Sequence, residues 1–272
     1  MKKVYITLDC DPGELPENQK IGIEEAINGC LELFDSFNLT KDVTWFVNEA
    51  EVGFTSKYPT LLEQMAEGEI ALHVHLNRPP HTSRYSIPAD RSKMERMITG
   101  PQKRLDSWLS ECFGDKKVSA FRSGNLLTSP LLFKVLEERG FKIDSSIPSQ
   151  FDWSPREVAR RFLMMAPSFL KEHVSRLKKG AVYKTLPLRT QPFRIGRLLE
   201  MPIHIYIGGR YRDKNWLENR TVLQLEGLND FVIYWHPYEL IQFGKDLYEG
   251  YLNFLLDSYH LKFQTITSAI TR

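Results

Sequence analysis

The sequence predicts an α/β fold built on parallel strands, and two observations support this. Short apolar segments typical of strands alternate along the chain with segments whose apolar residues recur at helical spacing. Several strand segments also end in polar side chains, as expected where the carboxyl ends of parallel strands meet and bind a ligand. With 272 residues, 42% of them hydrophobic, the chain is long enough for a sizeable core.

The strand predictions rest on apolar alternation and on β-branched and aromatic residues between turn signals. They cover residues 3–8, 42–47, 69–74, 118–121, 141–143, 198–207, 231–235 and 262–266.

The helix predictions rest on apolar residues three and four positions apart. They cover residues 21–37, 58–66, 90–113, 130–139 and 247–259, and a further helix begins near residues 222–226. Gly140 ends the fourth of these helices. Residues 78–87 are rich in proline and polar side chains, which predicts a loop over the mouth of the site.

Two carboxylates, Asp9 and Asp11, end the first predicted strand, and Pro12 and Gly13 prevent its continuation. Because one residue separates the two aspartates, an extended backbone turns both side chains the same way. Like charges so close raise one pKa unless a cation lies between them. A simple Asx turn explains the pair equally well.

Two histidines, His73 and His75, lie at alternate positions near the end of the strand at residues 69–74, and so share one face. Two imidazoles and a carboxylate from elsewhere make a three-ligand site with one position open to water, as in catalytic zinc centres. The alternative is a pair of histidines hydrogen-bonded to backbone at a strand end.

Polar side chains also follow three other strand segments, where they would lie on the same rim as the aspartates and histidines. They are Arg122, Asp144 and His236. The histidines without such a position are predicted to be structural or on the surface: His173, His204 and His260.

Taken in order, these motifs resemble those of the polysaccharide deacetylases, the NodB-type carbohydrate esterases. The resemblance covers nearly the whole chain and favours the branch found in surface-polysaccharide gene clusters. The similar segments are Thr7-Leu8-Asp9-Cys10-Asp11, Glu69-Ile70-Ala71-Leu72-His73, Phe121-Arg122-Ser123-Gly124, the Asp-Ser-Ser at residues 144–146, and Trp235-His236-Pro237. The resemblance implies a distorted parallel (β/α) barrel of about seven strands, a single domain over residues 1–272 with a basic helical insertion at 156–197.

The resemblance also implies a role for each site residue. Asp9 is the catalytic base and is held by Arg122, while His236 is the general acid. Asp144, ahead of Asp152, steadies His236. The expected ligands of a divalent metal, Zn²⁺ first and Co²⁺ or Ni²⁺ as alternatives, are Asp11, His73 and His75.

One position departs from the family pattern. Four residues after His73, where the usual second motif has histidine, this chain has Asn77. Its amide oxygen is a weaker candidate ligand, because Asn is a poor ligand for zinc. A member without the full triad binds metal weakly or is inactive.

The function implied is metal-dependent amide hydrolysis that removes an N-acetyl or similar acyl group from an amino sugar, in a polysaccharide or a lipid-linked glycan precursor. Two alternatives stay open. One is a small-molecule C–N hydrolase of ureide or imide type, which has no use for the basic segment. The other is a catalytically silent glycan-binding protein that lost its metal through the Asn77 change.

The basic segment at residues 156–197 holds eleven Lys or Arg against two Glu, although the whole chain has a net charge of only +2. It suits an anionic membrane surface or a diphosphate-linked carrier, and the alternative is a solvated insertion. The near-neutral chain has no nucleic-acid-binding module. The oligomeric state stays open.

The expected location is the cytoplasm, with peripheral binding at the inner membrane face. The chain has neither an apolar run long enough for a membrane span nor the pattern of a signal peptide. Its three cysteines, an odd number without metal-type spacing, are predicted to be reduced thiols: Cys10, Cys30 and Cys112.

Overall fold

A computed structural model describes residues 1–14, 20–81, 87–149, 190–208 and 213–271. Asp152 and residues 156–189 of the predicted basic insertion lie outside these ranges. The insertion and the single-domain boundaries therefore stay predictions.

Strands and helices alternate through the described ranges. The strands are β1 Lys2–Cys10, β2 Gly13–Glu14, β3 Lys20–Ile21, β4 Val43–Val47, β5 Glu69–Val74, β6 Ala120–Ser123, β7 Ile143–Asp144, β8 Phe193–Ile195, β9 Leu198–Glu200, β10 Ile205–Tyr206, β11 Asp230–Trp235 and β12 Leu261–Phe263. The α-helices are α1 Ile23–Ser36, α2 Phe54–Lys57, α3 Pro59–Met65, α4 Arg91–Phe113, α5 Pro130–Glu138, α6 Lys214–Gly227, α7 Pro237–Phe243 and α8 Lys245–Ser258. None of these helices is both long enough and apolar enough to cross a membrane.

The main sheet runs in the order β10-β11-β1-β4-β5-β6-β7-β9-β8, and β12 pairs with the start of β1. Every neighbouring pair in it is parallel except β8 and β9. The strands β2 and β3 form a separate two-stranded sheet. The predicted α/β class with parallel strands is confirmed.

The extended segment at residues 198–207 connects the two ends of this curled sheet. Met201 N donates to Asp144 O at 2.8 Å on the β7 side, and His204 N donates to Val232 O at 2.9 Å on the β11 side. If the segment at residues 198–207 is counted as one strand, it forms a distorted barrel with β1, β4, β5, β6, β7 and β11. This confirms the predicted count of about seven strands. The predicted continuous strand is divided into β9 and β10 because the segment changes partner midway.

Alternation along the strands sorts side chains between two layers. Along β1, Val4, Ile6 and Leu8 pack outward in the layer that includes the helices, whereas Tyr5 belongs to the cluster inside the barrel. Because side chains alternate along a strand, Asp9 faces the interior as Tyr5 does. The same alternation in β5, β6 and β11 turns polar side chains toward the barrel interior near the strands' carboxyl ends.

Three helices were predicted incompletely or not at all, and one of them is the short helix α2 at Phe54–Lys57, which was not predicted. Helix α6 begins at Lys214 rather than near residue 222, because the Asp213 side chain accepts hydrogen bonds from Asn215 N and Trp216 N as an N-cap. Helix α7 was not predicted, although Pro237 at its first position is a common helix start.

Candidate metal centre and active site

Three predicted ligands converge at the carboxyl ends of β1 and β5. Asp11 Oδ2 lies 3.3 Å from His73 Nε2 and 3.1 Å from His75 Nε2. One ligand atom from each residue lies within 4.8 Å of the others. Within the part of the chain that the structure covers, the predicted Asp-His-His set thus occupies one place and can hold a metal ion.

The state of His73 supports that fit. Its side chain is 1% exposed, and apart from Asp11 Oδ2, 3.3 Å from Nε2, neither ring nitrogen has a polar partner among the described residues. A buried polar group without a partner is costly, so a nitrogen in this state is available to a ligand the chain does not itself provide. Two imidazoles and one carboxylate match the donor set of catalytic zinc.

The surroundings of Asp11 and His75 favour a charged site. Burial opposes ionisation of Asp11, but the neighbouring histidines outweigh it and hold the pKa of Asp11 well below its usual range. Burial lowers the pKa of His75, but hydrogen bonds with Asp11 and Glu51 raise it to about 10. A cation that binds here therefore displaces a proton.

The predicted base, Asp9, lies beside Arg122. Arg122 Nη1 donates to Asp9 Oδ1 at 2.7 Å, and the two side chains are 0% and 4% exposed. Arg122 is held in turn by Ser145, because its Nε and Nη2 donate to the backbone and side-chain oxygens of that residue at 2.8 and 2.9 Å. A fixed positive charge therefore lies directly beside the Asp9 carboxylate.

The predicted acid, His236, lies at the same end of the barrel, with Nε2 4.0 Å from Asp11 Oδ2. Its Nδ1 is 3.1 Å from Glu239 Oε2, and its backbone N donates to the same oxygen at 2.9 Å. Burial lowers the pKa of His236, but the charge of Glu239 outweighs this and raises it to about 9. Tyr206 donates its hydroxyl hydrogen to the other carboxylate oxygen of Glu239.

The prediction that Asp144 steadies His236 was wrong, because Glu239 occupies that position. Asp144 instead accepts a 2.7 Å hydrogen bond from Ser146 Oγ and pairs with Glu200 on the neighbouring strand β9. Both carboxyls are fully buried. Burial and then the charge of Asp144 raise the pKa of Glu200 well above its usual range, which favours the protonated form of Glu200 beside Asp144.

Asn77 lies nearby but takes part in a different contact. Its Oδ1 accepts a hydrogen bond from Asn125 Nδ2 at 3.3 Å, and the residue is 7% exposed. Asn77 Oδ1, which the sequence suggested as a weaker metal ligand, thus accepts a hydrogen bond from the side-chain amide of Asn125.

Sequence reasoning missed four residues that contact the site. Asn48 donates from Nδ2 to Asp11 Oδ1 at 2.7 Å, and its position directly after β4 was a usable signal. Glu239 stands three residues after His236 in a capping box, which is also visible in sequence. Glu51 and Glu200 gave no local signal, because only the tertiary fold brings Glu51 to His75 and Glu200 to Asp144.

Comparison with known proteins identifies the fold. No model of a known protein family matches the sequence, and no curated protein matches it either. Among solved structures, a protein of Mycobacterium smegmatis assigned as a polysaccharide deacetylase superposes with a TM-score of 0.63 at 14% identity, over 98% of this chain and 89% of that chain. The chain has the polysaccharide deacetylase fold.

Two further solved structures with the polysaccharide deacetylase fold differ in their assigned activity. A protein of Bordetella bronchiseptica assigned as a deacetylase of O-antigen biosynthesis superposes with a TM-score of 0.50 at 15% identity, over 94% of this chain and 90% of that chain. A CE4-family pseudoenzyme of Bacillus anthracis superposes with a TM-score of 0.54 at 10% identity, over 98% of this chain and 64% of that chain. A protein with this fold can thus be a pseudoenzyme, and the side chains must carry any argument about activity.

Proposed function

We propose that this protein is a metal-dependent amide hydrolase that removes an N-acetyl or similar acyl group from an amino sugar. The observation that carries the proposal is the convergence of a metal-binding set with a base and an acid at one end of the barrel. The metal-binding set is Asp11, His73 and His75, which lie within 4.8 Å of one another. Asp9 with Arg122 and His236 with Glu239 flank it.

The residues divide the work by protonation state. Asp11, His73 and His75 would hold a divalent ion, which would supply a Lewis acid to polarise an amide carbonyl and lower the pKa of a water molecule. Asp9 accepts the proton of the attacking water, and Arg122 orients that carboxylate.

The departing nitrogen needs a proton as the C–N bond breaks. His236 donates it from a ring whose pKa Glu239 raises, so the acid form is populated near neutral pH. The products are a free amine and a carboxylate such as acetate. A carboxylate base and an imidazolium acid on one rim satisfy the opposite needs of the two steps.

The substrate proposed is a glycan or a lipid-linked glycan precursor. The assignment of the Bordetella bronchiseptica protein to O-antigen biosynthesis is consistent with such a precursor. The basic segment at residues 156–197 would then contact the diphosphate carrier and anionic lipid at the inner membrane face. Loss of membrane binding and of lipid-linked turnover after deletion of this segment would support the idea, and unchanged behaviour would refute it.

Acetate release is the direct test. The protein is stripped with a chelator, reloaded with Zn²⁺, Co²⁺ or Ni²⁺, and assayed on N-acetylated sugar donors. We expect metal-dependent release that Asp9→Asn lowers by about 100-fold or more, as for loss of a general base. Asp35→Asn, on the exposed side of α1, is the matched control. Full activity in Asp9→Asn would reject the assignment.

The same assay separates the alternatives. A ureide or imide hydrolase would release no acetate from sugar donors but would open a small cyclic amide with the same metal dependence. A silent glycan-binding protein would turn over neither substrate. The intact pairs Asp9–Arg122 and His236–Glu239 favour a working hydrolase over the silent alternative.

A further inference from the structure

The two metal-ligand candidates on β5 and just beyond it are held in different ways. The His73 side chain is 1% exposed; its Nε2 lies 3.3 Å from Asp11 Oδ2, and its Nδ1 has no hydrogen-bond partner among the residues described. The His75 side chain is 10% exposed, and its Nδ1 lies 2.8 Å from Glu51 Oε1. His75 therefore depends on a partner that His73 lacks.

Glu51 belongs to the loop that follows β4, and this loop also contacts the metal-binding set through Asn48. The Asn48 amide donates to Asp11 Oδ1 at 2.7 Å and accepts from Glu51 N at 3.2 Å. One side chain thus links the backbone of Glu51 to Asp11. The contact also occupies Asp11 Oδ1 and leaves Oδ2 directed at the histidines.

The loop itself is anchored to the fold by Glu49. This carboxylate is 1% exposed and accepts from Thr55 N at 3.0 Å, from Thr55 Oγ1 at 2.8 Å and from Arg104 Nε at 2.9 Å. These bonds join the loop to the start of α2 and to the long helix α4. The position of Glu51 relative to His75 is therefore set by several independent contacts.

We propose that Glu51 is a positioning residue for metal binding, which acts through His75; this rests on the proposed function. When Nδ1–H of His75 donates to Glu51, the tautomer is fixed and the lone pair of Nε2 faces Asp11 and the ion. A carboxylate in this role also makes the imidazole a stronger donor to a metal. Because the Glu51 side chain is 29% exposed, it can be removed without opening the core.

Metal affinity is the measurement, with the full-length chain. Zn²⁺ affinity is taken from competition with a chromophoric chelator, and the visible spectrum of the Co²⁺ form reports ligand geometry. We expect Glu51→Ala to weaken Zn²⁺ binding by about 10- to 100-fold and to alter the Co²⁺ spectrum, and Glu51→Gln to lose less. Glu63→Ala, on the exposed face of α3, should match the unsubstituted chain.

A double substitution tests the route through His75. In a His75→Ala chain, Glu51→Ala should not weaken Zn²⁺ binding further. In a His73→Ala chain it should weaken Zn²⁺ binding by the same factor as in the unsubstituted chain. Equal affinity in Glu51→Ala and the unsubstituted chain would overturn this inference and leave the proposed function intact. An unsubstituted chain that binds no Zn²⁺ would overturn both. Urea midpoints measured without metal show whether a loss of Zn²⁺ affinity is due to misfolding. If Glu51→Ala is misfolded, the Zn²⁺ affinity of Glu51→Gln decides whether the inference holds.

Discussion

Arg122 Nη1 donates to Asp9 Oδ1 at 2.7 Å, although 113 positions separate the two residues in the chain. The guanidinium carbon lies 4.1 Å from the centre of the Phe46 ring and 5.3 Å from that of Tyr234. Ser145 accepts two further hydrogen bonds from Arg122. The pair thus brings a carboxylate into the barrel without leaving an unpaired charge there.

Loss of that arginine should therefore affect stability as well as activity. We expect Arg122→Met to lower the free energy of unfolding by about 3–5 kcal/mol, because the buried Asp9 carboxylate loses its partner. Urea denaturation measures the change. Arg96→Met, on the exposed side of α4, should differ little from the unsubstituted protein. A loss as small as that of this control would show that Asp9 does not depend on Arg122.

Gly124 makes room for a metal-ligand candidate. A Cβ added at this position would lie 1.6 Å from His75 Cδ2, so the ring would have to move. We expect Gly124→Ala to weaken Zn²⁺ binding by about 10-fold or more, by the same dependence of affinity on ligand orientation. Chelator competition gives the value. Gly227→Ala, where nothing lies within 4 Å of the added carbon, is the matched control. Unchanged affinity would contradict the placement of His75.

His204 should make stability depend on acid pH. Its Nδ1 accepts from Val232 N at 3.0 Å and its Nε2 is 2.6 Å from Thr190 O, which suits the neutral ring. Burial lowers the pKa of His204 to about 4. Between about pH 6.5 and pH 4 the unfolded chain binds the extra proton, so stability falls as pH falls, by up to about 3 kcal/mol.

Urea denaturation at several pH values in this window measures the effect. In His204→Gln the slope of unfolding free energy against pH should be smaller than in the unsubstituted chain. His260→Gln, an exposed histidine, should leave the slope unchanged. An equal slope in His204→Gln would show that another group titrates.

Glu200→Gln should lower the stability of the protein less than Glu200→Ala. Burial and the charge of Asp144 raise the pKa of Glu200, so the folded state holds the proton and loses stability as pH rises from the ordinary glutamate pKa of about 4.3 toward the raised value. We expect Glu200→Gln to change stability by less than about 1 kcal/mol at pH 7 and to remove this pH-dependent loss, since it still bonds Asp144 and Ile147 N.

Glu200→Ala leaves Asp144 and Ile147 N without that partner and should cost about 1–3 kcal/mol. Urea midpoints at pH 5, 7 and 9 separate the two variants. A larger loss in Glu200→Gln than in Glu200→Ala would contradict the protonated state of this residue.

The residues that sequence reasoning placed well share one physical rule. Polar side chains at the ends of buried parallel strands must meet at one rim, and strand alternation then decides which face they share. Asp9, Asp11, His73 and Arg122 obey this rule, and the structure brings them together. Their position was therefore predictable from local sequence alone.

The partner of His236 was assigned wrongly because the resemblance favoured a distant residue. Glu239 lies three positions later, at the start of α7, where backbone capping brings its carboxylate back to His236. Glu51 and Glu200 were beyond local reasoning, since their contacts with His75 and Asp144 depend on how the loop after β4 and the segment after β8 pack.

The central claim is that one ion binds Asp11, His73 and His75. Anomalous X-ray scattering at the zinc absorption edge, from crystals of the full chain grown with Zn²⁺, tests this most directly. The account predicts one strong peak about 2.0–2.2 Å from a carboxylate oxygen of Asp11 and from one ring nitrogen of each histidine. A fully loaded crystal with its peak elsewhere, or no peak at saturating Zn²⁺, would contradict it.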